Sequence, residues 1–146
     1  MTTIYNNFKE LLFNGGIDLD NDTLQVALIS DSPAYTPDPD NDVFVSDVLD
    51  DVAASELSGT GYTRQTVSMS ITQDNANDQA VADTADLTYS GIDAGTIDGM
   101  ILFKQGPTDD SDSPLIAHLT SPEFPLVTNG GDVNLLFDAA GVLTLG

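Results

Sequence analysis

The chain has no cysteine and no tryptophan, and its 146 residues include only three basic side chains and one histidine. The lack of cysteine excludes disulfide bonds, thiolate catalysis and cysteine-ligated zinc or iron–sulfur centres. The basic residues are Lys9, Arg64 and Lys104. Because contacts with phosphate groups need many lysines and arginines, we expect no nucleic-acid partner.

Long apolar runs are missing as well. No segment approaches the roughly 20 consecutive apolar residues of a membrane-spanning helix, so we expect no membrane association. Residues 1–13 contain Asn6, Lys9 and Glu10 where an export signal has an unbroken apolar stretch, so no such signal is predicted. The length and the apolar fraction of 40% predict one domain, residues 1–146, with a core of its own.

Negative charge is what the chain has in excess, since 24 acidic residues give a formal net charge of −21. Such self-repulsion destabilises a compact state in dilute buffer. In molar salt the Debye length falls to about 3 Å, and surface carboxylates stop repelling one another while they stay hydrated. The composition therefore indicates adaptation to a hypersaline medium. The alternatives are ordinary solubilising acidity and mimicry of nucleic acid.

Apolar periodicity predicts a mainly β chain, either an antiparallel β-sandwich or a partly open barrel. A short amphipathic helix is predicted over Thr3–Phe13, ended by Gly15 and Gly16, and one further short helix within Val43–Val52. The predicted strands are Thr23–Ser30, Tyr62–Thr72, Ala80–Tyr89, Thr96–Gln105, Leu115–Thr120, Val133–Phe137 and Val142–Leu145.

Two details of these strands can be predicted from the pattern. Alternation in Tyr62–Thr72 places Val67, Met69 and Ile71 inward. The run Met100–Phe103 is apolar at every position, which is typical of a strand in the middle of a sheet.

His118 is the single histidine, and strand alternation places it on the same face as Ile116 rather than with Leu115 and Leu119. The sequence has neither a G-x-S-x-G nor an H-E-x-x-H motif that would give it catalytic partners. Carboxylate pairs arise by chance in so acidic a chain, and Gly59-Thr60-Gly61 lacks the strand–helix setting of a phosphate-binding loop. We therefore predict no catalytic residues and no enzymatic activity.

The pattern D-x-D-N-D occurs twice, and its alternating carboxylates are the hard oxygen ligands that Ca²⁺ prefers. Neither copy completes an EF-hand loop, because Thr23 and Val43 stand where that loop needs glycine. The alternative is that both copies are simply acidic loops. The candidate ligands of a structural cation are Asp18, Asp20, Asp22, Asp38, Asp40 and Asp42, and no other cofactor is expected.

Three motifs connect the chain with a known family. They are Tyr35-Thr36-Pro37, the turn Ser58–Thr63, and the segment Asp86–Tyr89 followed by Ile101–Lys104. Together with the order of the predicted elements, they make almost the whole chain similar to a family of small structural proteins encoded in tailed-virus genomes. The chain departs from that family in its extreme acidity and scarcity of basic residues, which indicates a virus of a halophilic host.

The resemblance implies a component of the virion that is assembled in the host cytoplasm. A capsid decoration, or cement, protein bound to the major capsid protein is the first expectation. A tail or baseplate component is the alternative. Small shell-binding proteins commonly surround a symmetry axis, so we expect a homotrimer. The segment Pro122–Val127 is the expected contact surface, with Phe124, Pro125 and Leu126 as interface candidates, and a buried crossover between strands is the other interpretation.

Overall fold

Antiparallel strands dominate the computed structural model, which describes residues 2–30, 32–49 and 54–146. The strands are β1 (Thr3–Ile4), β2 (Leu24–Ser30), β3 (Gln65–Val67), β4 (Ser70–Asp74), β5 (Gln79–Asp83), β6 (Leu87–Tyr89), β7 (Gly95–Lys104), β8 (Leu115–Leu119), β9 (Leu126–Thr128), β10 (Val133–Leu135) and β11 (Leu143–Leu145). The helices are α1 (Asn6–Asn14) and α2 (Val45–Leu49), and Asp110–Asp112 form a 3₁₀ turn. The sheets do not close into a barrel, and the mainly β, sandwich-like prediction with two short helices is confirmed.

A six-stranded sheet forms the centre of the fold. Its strands run in the order β1-β8-β7-β2-β3, and β9 also pairs with β7. Two smaller sheets lie beside it, the pair β10-β6 and the three-stranded sheet β11-β5-β4. The expected central position of Met100–Phe103 is confirmed, because β7 pairs with β2 on one side and with β8 and β9 on the other.

Both faces of the central sheet are covered, which explains why its main strands are apolar at consecutive positions. On β2, Val26 and Leu28 belong to the larger core cluster, whereas Ala27 and Ile29 belong to a second cluster on the opposite face. The larger cluster includes residues from α1, the small sheets and the central sheet. The second cluster lies under α2, whose Val45 and Val48 are fully buried.

The N-terminal helix begins later than the sequence predicts. Thr3 and Ile4 form β1, which pairs with His118 and Ala117 of β8, and α1 follows from Asn6. Gly15 ends the helix with φ of 75°, and its N–H bonds back to the carbonyl of Leu11. This left-handed cap is readily adopted by glycine, so the predicted stop signal is confirmed.

The second predicted helix is present as α2. Of the predicted range Val43–Val52, residues 50–52 lie outside the described part of the chain. The segment before α2, residues 32–42, has three prolines and contains no helix or strand.

Two of the predicted strands each divide into two shorter strands. Tyr62–Thr72 divides into β3 and β4, because β3 ends at Val67, opposite the first residue of β2, and the chain then joins another sheet. The inward position of Ile71 is wrong, since its side chain is 50% exposed. Ala80–Tyr89 likewise divides into β5 and β6. The last two strands join different sheets, because β10 pairs with β6 and β11 pairs with β5.

Candidate interaction site

Six residues that leave the central sheet interrupt the strand pairing along one side of β7. Leu119 of β8 lies opposite Met100, and Leu126 of β9 lies opposite Ile97. Both strands are antiparallel to β7 on the same side, so β8 and β9 form one broken strand. Residues 120–125 leave the sheet between them, and we call this segment, together with Leu126 and Val127 at the start of β9, the excursion.

The excursion carries the interface candidates in two orientations. Phe124 and Leu126 are half-buried and pack against the larger core cluster. Pro125 is exposed, and Val127, the second residue of β9, is 73% exposed. The segment therefore does not form a buried crossover between sheets. It is anchored by two apolar side chains and presents two others to solvent.

A cleft of about 480 Å³ lies beside the excursion. Ser121 and Pro122 form one wall, and Leu136, which is 63% exposed, lies on another. Asp138 is the one ionisable residue among the described residues that line it. This mixed apolar and hydroxyl-bearing surface suits contact with another protein, and its described lining contains no base placed beside a nucleophile.

The predicted placement of His118 is wrong. A β-bulge interrupts the pairing of β7 with β8, so that Leu102 faces Ala117 while Phe103 faces Leu115. The extra residue, Ile116, belongs to the larger core cluster. His118 instead lies against Tyr35, on the side of the second cluster.

The imidazole of His118 is held in a tight and largely apolar environment. Its ring meets the Tyr35 ring edge-on at 5.3 Å between centroids. A methyl group on Gly99 would approach its Nε2 to 2.6 Å, so glycine permits this close packing. Burial lowers the pKa of His118 to about 4, against a smaller raising effect of Asp98. His118 is therefore neutral at neutral pH.

Tyr35 connects the second core cluster with an acidic loop. Its hydroxyl donates to the carboxylate of Asp42 and lies 2.7 Å from the hydroxyl of Tyr5. Burial raises the pKa of both tyrosines, and the Asp42 carboxylate raises them further. The contact ties the Tyr35-Thr36-Pro37 motif to the core and gives it a structural role.

The first D-x-D-N-D loop bonds to itself. Asp18 accepts from the backbone N–H of Asp20 at 3.0 Å and from Nδ2 of Asn21 at 2.9 Å. Asp22 accepts from the N–H of Asp18 at 2.8 Å, and its own N–H donates to the Asp18 carbonyl at 2.8 Å. These bonds lower the pKa of Asp18, the Asn21 bond most of all.

The second loop repeats the pattern bond for bond. Asp38 accepts from Asp40 at 3.2 Å and from Asn41 at 2.8 Å, and Asp42 accepts from the N–H of Asp38 at 2.9 Å. The bond from Asn41 is again the main cause that lowers the pKa of Asp38.

The geometry favours turns over a cation site in these loops. Within the described ranges, no three histidine, aspartate or glutamate side chains converge as ligands of one metal ion. The carboxylates of Asp18 and Asp38 already accept bonds from within their own loops, as turn-forming aspartates do. The six predicted ligands thus divide into two equivalent acidic turns.

Arg64 forms the strongest charged cluster in the described structure. It makes paired hydrogen bonds with Glu56 at 2.7 and 2.8 Å and with Asp110 at 2.6 and 2.7 Å. Its guanidinium also lies 5.3 Å from the centre of the Phe103 ring. The bonds to Asp110 and Glu56 raise the pKa of Arg64. With its donors engaged in this way, Arg64 acts as a structural clamp between loops.

The glycine-rich turn Ser58–Thr63 is also structural. Gly59 and Gly61 have φ of 115° and 81°, and a Cβ on Gly61 would lie 2.5 Å from the carbonyl oxygen of Gly91. Asp93 accepts from the N–H of Thr60 at 2.9 Å. A carboxylate therefore occupies the position that a phosphate would need.

A second concave surface is entirely apolar. It is a groove of about 190 Å³ between α1 and the three-stranded sheet, and we call it the apolar groove. Its lining residues are Phe8, Leu12, Leu19, Ile71, Ala80, Val81, Ala82, Leu143 and Leu145. No local sequence pattern indicates this groove, because its residues come from α1, the turn after α1, β4, β5 and β11.

Comparison with family models, curated proteins and solved structures gives no match. Neither helix of the described structure is long and apolar enough to cross a bilayer.

Proposed function

We propose that this chain is a non-enzymatic structural component of a tailed-virus particle, a decoration protein that binds the outer head shell. The excursion is the observation that carries the proposal. It presents Pro125 and Val127 to solvent, near the single carboxylate of Glu123, on a molecule whose surface is rich in carboxylates. Exposed apolar groups next to a cleft are typical of protein contact surfaces.

The anchoring of the excursion supports a preformed contact. Phe124 and Leu126 pack against the core, so the segment is held before it meets a partner. A preformed surface loses less conformational freedom on binding than a flexible one. The major capsid protein is the proposed partner, and a homotrimer is the proposed assembly. Repetition over a shell multiplies weak contacts through avidity.

The proposal is tested on the particles of the virus that carries this coding sequence. We expect mass spectrometry of purified particles to find tens to hundreds of copies of the chain, and antibody labelling to mark the head. Labelling of the tail would move the assignment to a tail or baseplate component. Absence from purified particles would refute a virion role.

A rebinding experiment tests the excursion itself. Particles stripped of the chain are incubated with recombinant protein in molar salt, and bound protein is measured after sedimentation. Val127→Asp is expected to weaken binding at least about tenfold, since it places a carboxylate in an apolar contact. Phe13→Asp is the matched control, because Phe13 is 93% exposed at the end of α1, outside the excursion. Equal binding by both variants would remove the excursion from the contact.

A further inference from the structure

We propose that the apolar groove is the surface through which one copy of this chain binds a second copy. The inference rests on the proposed assembly function for its setting and adds the partner and the residues of a different surface. The groove lies on the three-stranded sheet β11-β5-β4, whereas the excursion follows β8 of the central sheet. One molecule can therefore use both surfaces at the same time.

The groove exposes apolar side chains that the core does not finish burying. Ile71 is 50% exposed and Leu145 is 37% exposed, although both line the groove with Phe8 and Leu12 of α1. Ile71 and Leu143 both lie opposite Ala82, on the two sides of β5. The small side chain of Ala82 leaves the concavity between them. A copy that covers the groove would bury these groups.

The sheet beside the groove also ends in an unprotected strand. Within the described chain, β4 pairs with β5 on one side and has no partner strand on the other. Ser70–Gln73 are exposed, and they contain no lysine, proline or bulge of the kind that blocks an exposed edge. Three strands with two free edges gain stability when another strand extends them.

The charge distribution selects a second copy as the occupant. The nine side chains that line the groove are all apolar, and the carboxylates nearest to them in sequence, those of Asp18, Asp20 and Asp83, belong to residues outside the lining. Elsewhere acidic residues are dense, as in 38–42 and 109–112. Two chains that each carry −21 can meet with least repulsion where neither presents a carboxylate.

A basic partner fits this surface poorly. Lysine and arginine side chains would be drawn to the aspartate-rich loops, and the groove has no acceptor for them. Molar salt strengthens apolar contacts and screens the repulsion between copies, so the contact suits the hypersaline medium inferred from the composition.

The test is the mass of the recombinant full chain in molar potassium chloride, measured by sedimentation equilibrium. We expect an assembly of two or three 15.4 kDa chains. Ile71→Asp and Leu145→Asp are each expected to weaken association at least about a hundredfold, because each places a carboxylate in the contact. Ala94→Asp is the control: an exposed apolar residue becomes aspartate outside both the groove and the cleft, and its mass should equal that of the unaltered chain. Circular dichroism confirms that each variant is folded.

Cross-linking gives a second measurement that does not depend on the aspartate variants. Because the chain has no cysteine, Ile71→Cys introduces a single thiol on β4 in the lining of the groove, at a position that is 50% exposed. Under oxidation it should form disulfide-linked pairs, whereas Thr88→Cys on β6, which is also exposed, should not. Equal cross-linking of the two variants would contradict the proposal.

The two proposals fail in different ways. A chain that is monomeric in molar salt, or that stays assembled as Ile71→Asp, overturns the groove contact even if the chain is abundant in particles. A chain that assembles through the groove but is absent from purified particles overturns the virion role alone.

Discussion

Aspartate, which is far more frequent than glutamate in this chain, forms hydrogen bonds that stabilise several turns. All but three of the 24 acidic residues are aspartates. A carboxylate on one methylene reaches the backbone N–H two or three residues ahead, as Asp18, Asp38 and Asp74 do. The longer glutamate side chain does not favour this geometry. The same residues that give the chain its charge therefore also form its turns.

Gly61 combines a positive φ with a close backbone neighbour, and we expect Gly61→Ala to destabilise the fold. Its positive φ costs an alanine about 1–2 kcal/mol, and the added Cβ would meet the backbone of Gly91, which cannot move aside without shifting its strand connection. The total loss in unfolding free energy should reach about 3 kcal/mol. Gly130→Ala is the control, since Gly130 has φ of 89° and open space around its Cα. The unfolding free energy of Gly130→Ala, measured with denaturant, should fall by about 1 kcal/mol. Equal losses would contradict the contact.

His118 should make the fold sensitive to mild acid. Its folded pKa of about 4 lies below the ordinary 6.5, so the unfolded chain binds the proton first as the pH falls. Stability is complete above pH 6.5 and decreases towards pH 4, by up to about 3 kcal/mol. His118→Gln should remove this decrease between pH 6.5 and 5, where carboxylates contribute little. Unfolding measured at several pH values, with pH 8 as the reference, checks it. An imidazole that titrates near pH 6.5 by NMR would refute it.

Among the helices and strands, those with strong local signals were predictable from the sequence. Helix α1 has an apolar stripe and a glycine stop, and β2 and β7 are continuous apolar runs. Strand partners were not predictable in the same way. Tyr62–Thr72 alternates as one strand, yet it divides where β2 begins and offers no further partner. The end of β3 is therefore set by β2, a separate segment, and the local sequence pattern does not predict it.

The candidate surfaces also differ in whether the sequence predicts them. Phe124, Pro125 and Leu126 stood out in the sequence as an apolar, proline-bearing segment, and the structure places the segment in part at the surface. The apolar groove needed the fold, since α1, β4, β5 and β11 meet only in three dimensions. The side of the sheet that His118 faces is set by the bulge at Ile116. The alternation of apolar and polar residues in the sequence does not reveal that bulge.

The acidic turns give a prediction that separates bonded from free carboxylates. Asp18→Ala should lower the melting temperature more than Asp20→Ala, because Asp18 closes its loop with two side-chain bonds. The bonds lower the pKa of Asp18, so this stability is present above the ordinary carboxyl pKa and is lost as the pH falls through the folded value. The two variants should therefore converge in strong acid. Thermal unfolding at neutral and low pH measures the difference.

The same turns predict the response to calcium. Because their carboxylates already accept bonds within each loop, millimolar calcium should raise the melting temperature no more than sodium chloride of matched ionic strength. A larger rise that Asp18→Ala or Asp38→Ala abolishes would restore the cation-site interpretation.

The whole molecule combines an apolar core on both faces of the central sheet with a surface whose negative charges repel one another. Three basic residues cannot neutralise 24 acids, and the ion pairs of the described chain engage Arg64 and Lys104 with Glu56, Asp110 and Asp22. The remaining carboxylates depend on solvent cations. No ionisable side chain lines the apolar groove, so contact with protein meets the least charge repulsion there.

That balance predicts a steep dependence of stability on salt. The melting temperature should rise from dilute buffer into molar sodium or potassium chloride, because screening removes the repulsion that a charge of −21 creates. A triple variant with Glu10, Asp20 and Glu123 each changed to lysine should melt higher than the unaltered chain at about 0.1 M salt and respond less to added salt. These three side chains are exposed. Sucrose separates screening from general exclusion effects, since it stabilises without ions. The acidic surface would serve another purpose if the melting temperature did not change with salt. The same would follow if the triple variant showed the same dependence of melting temperature on salt as the unaltered chain.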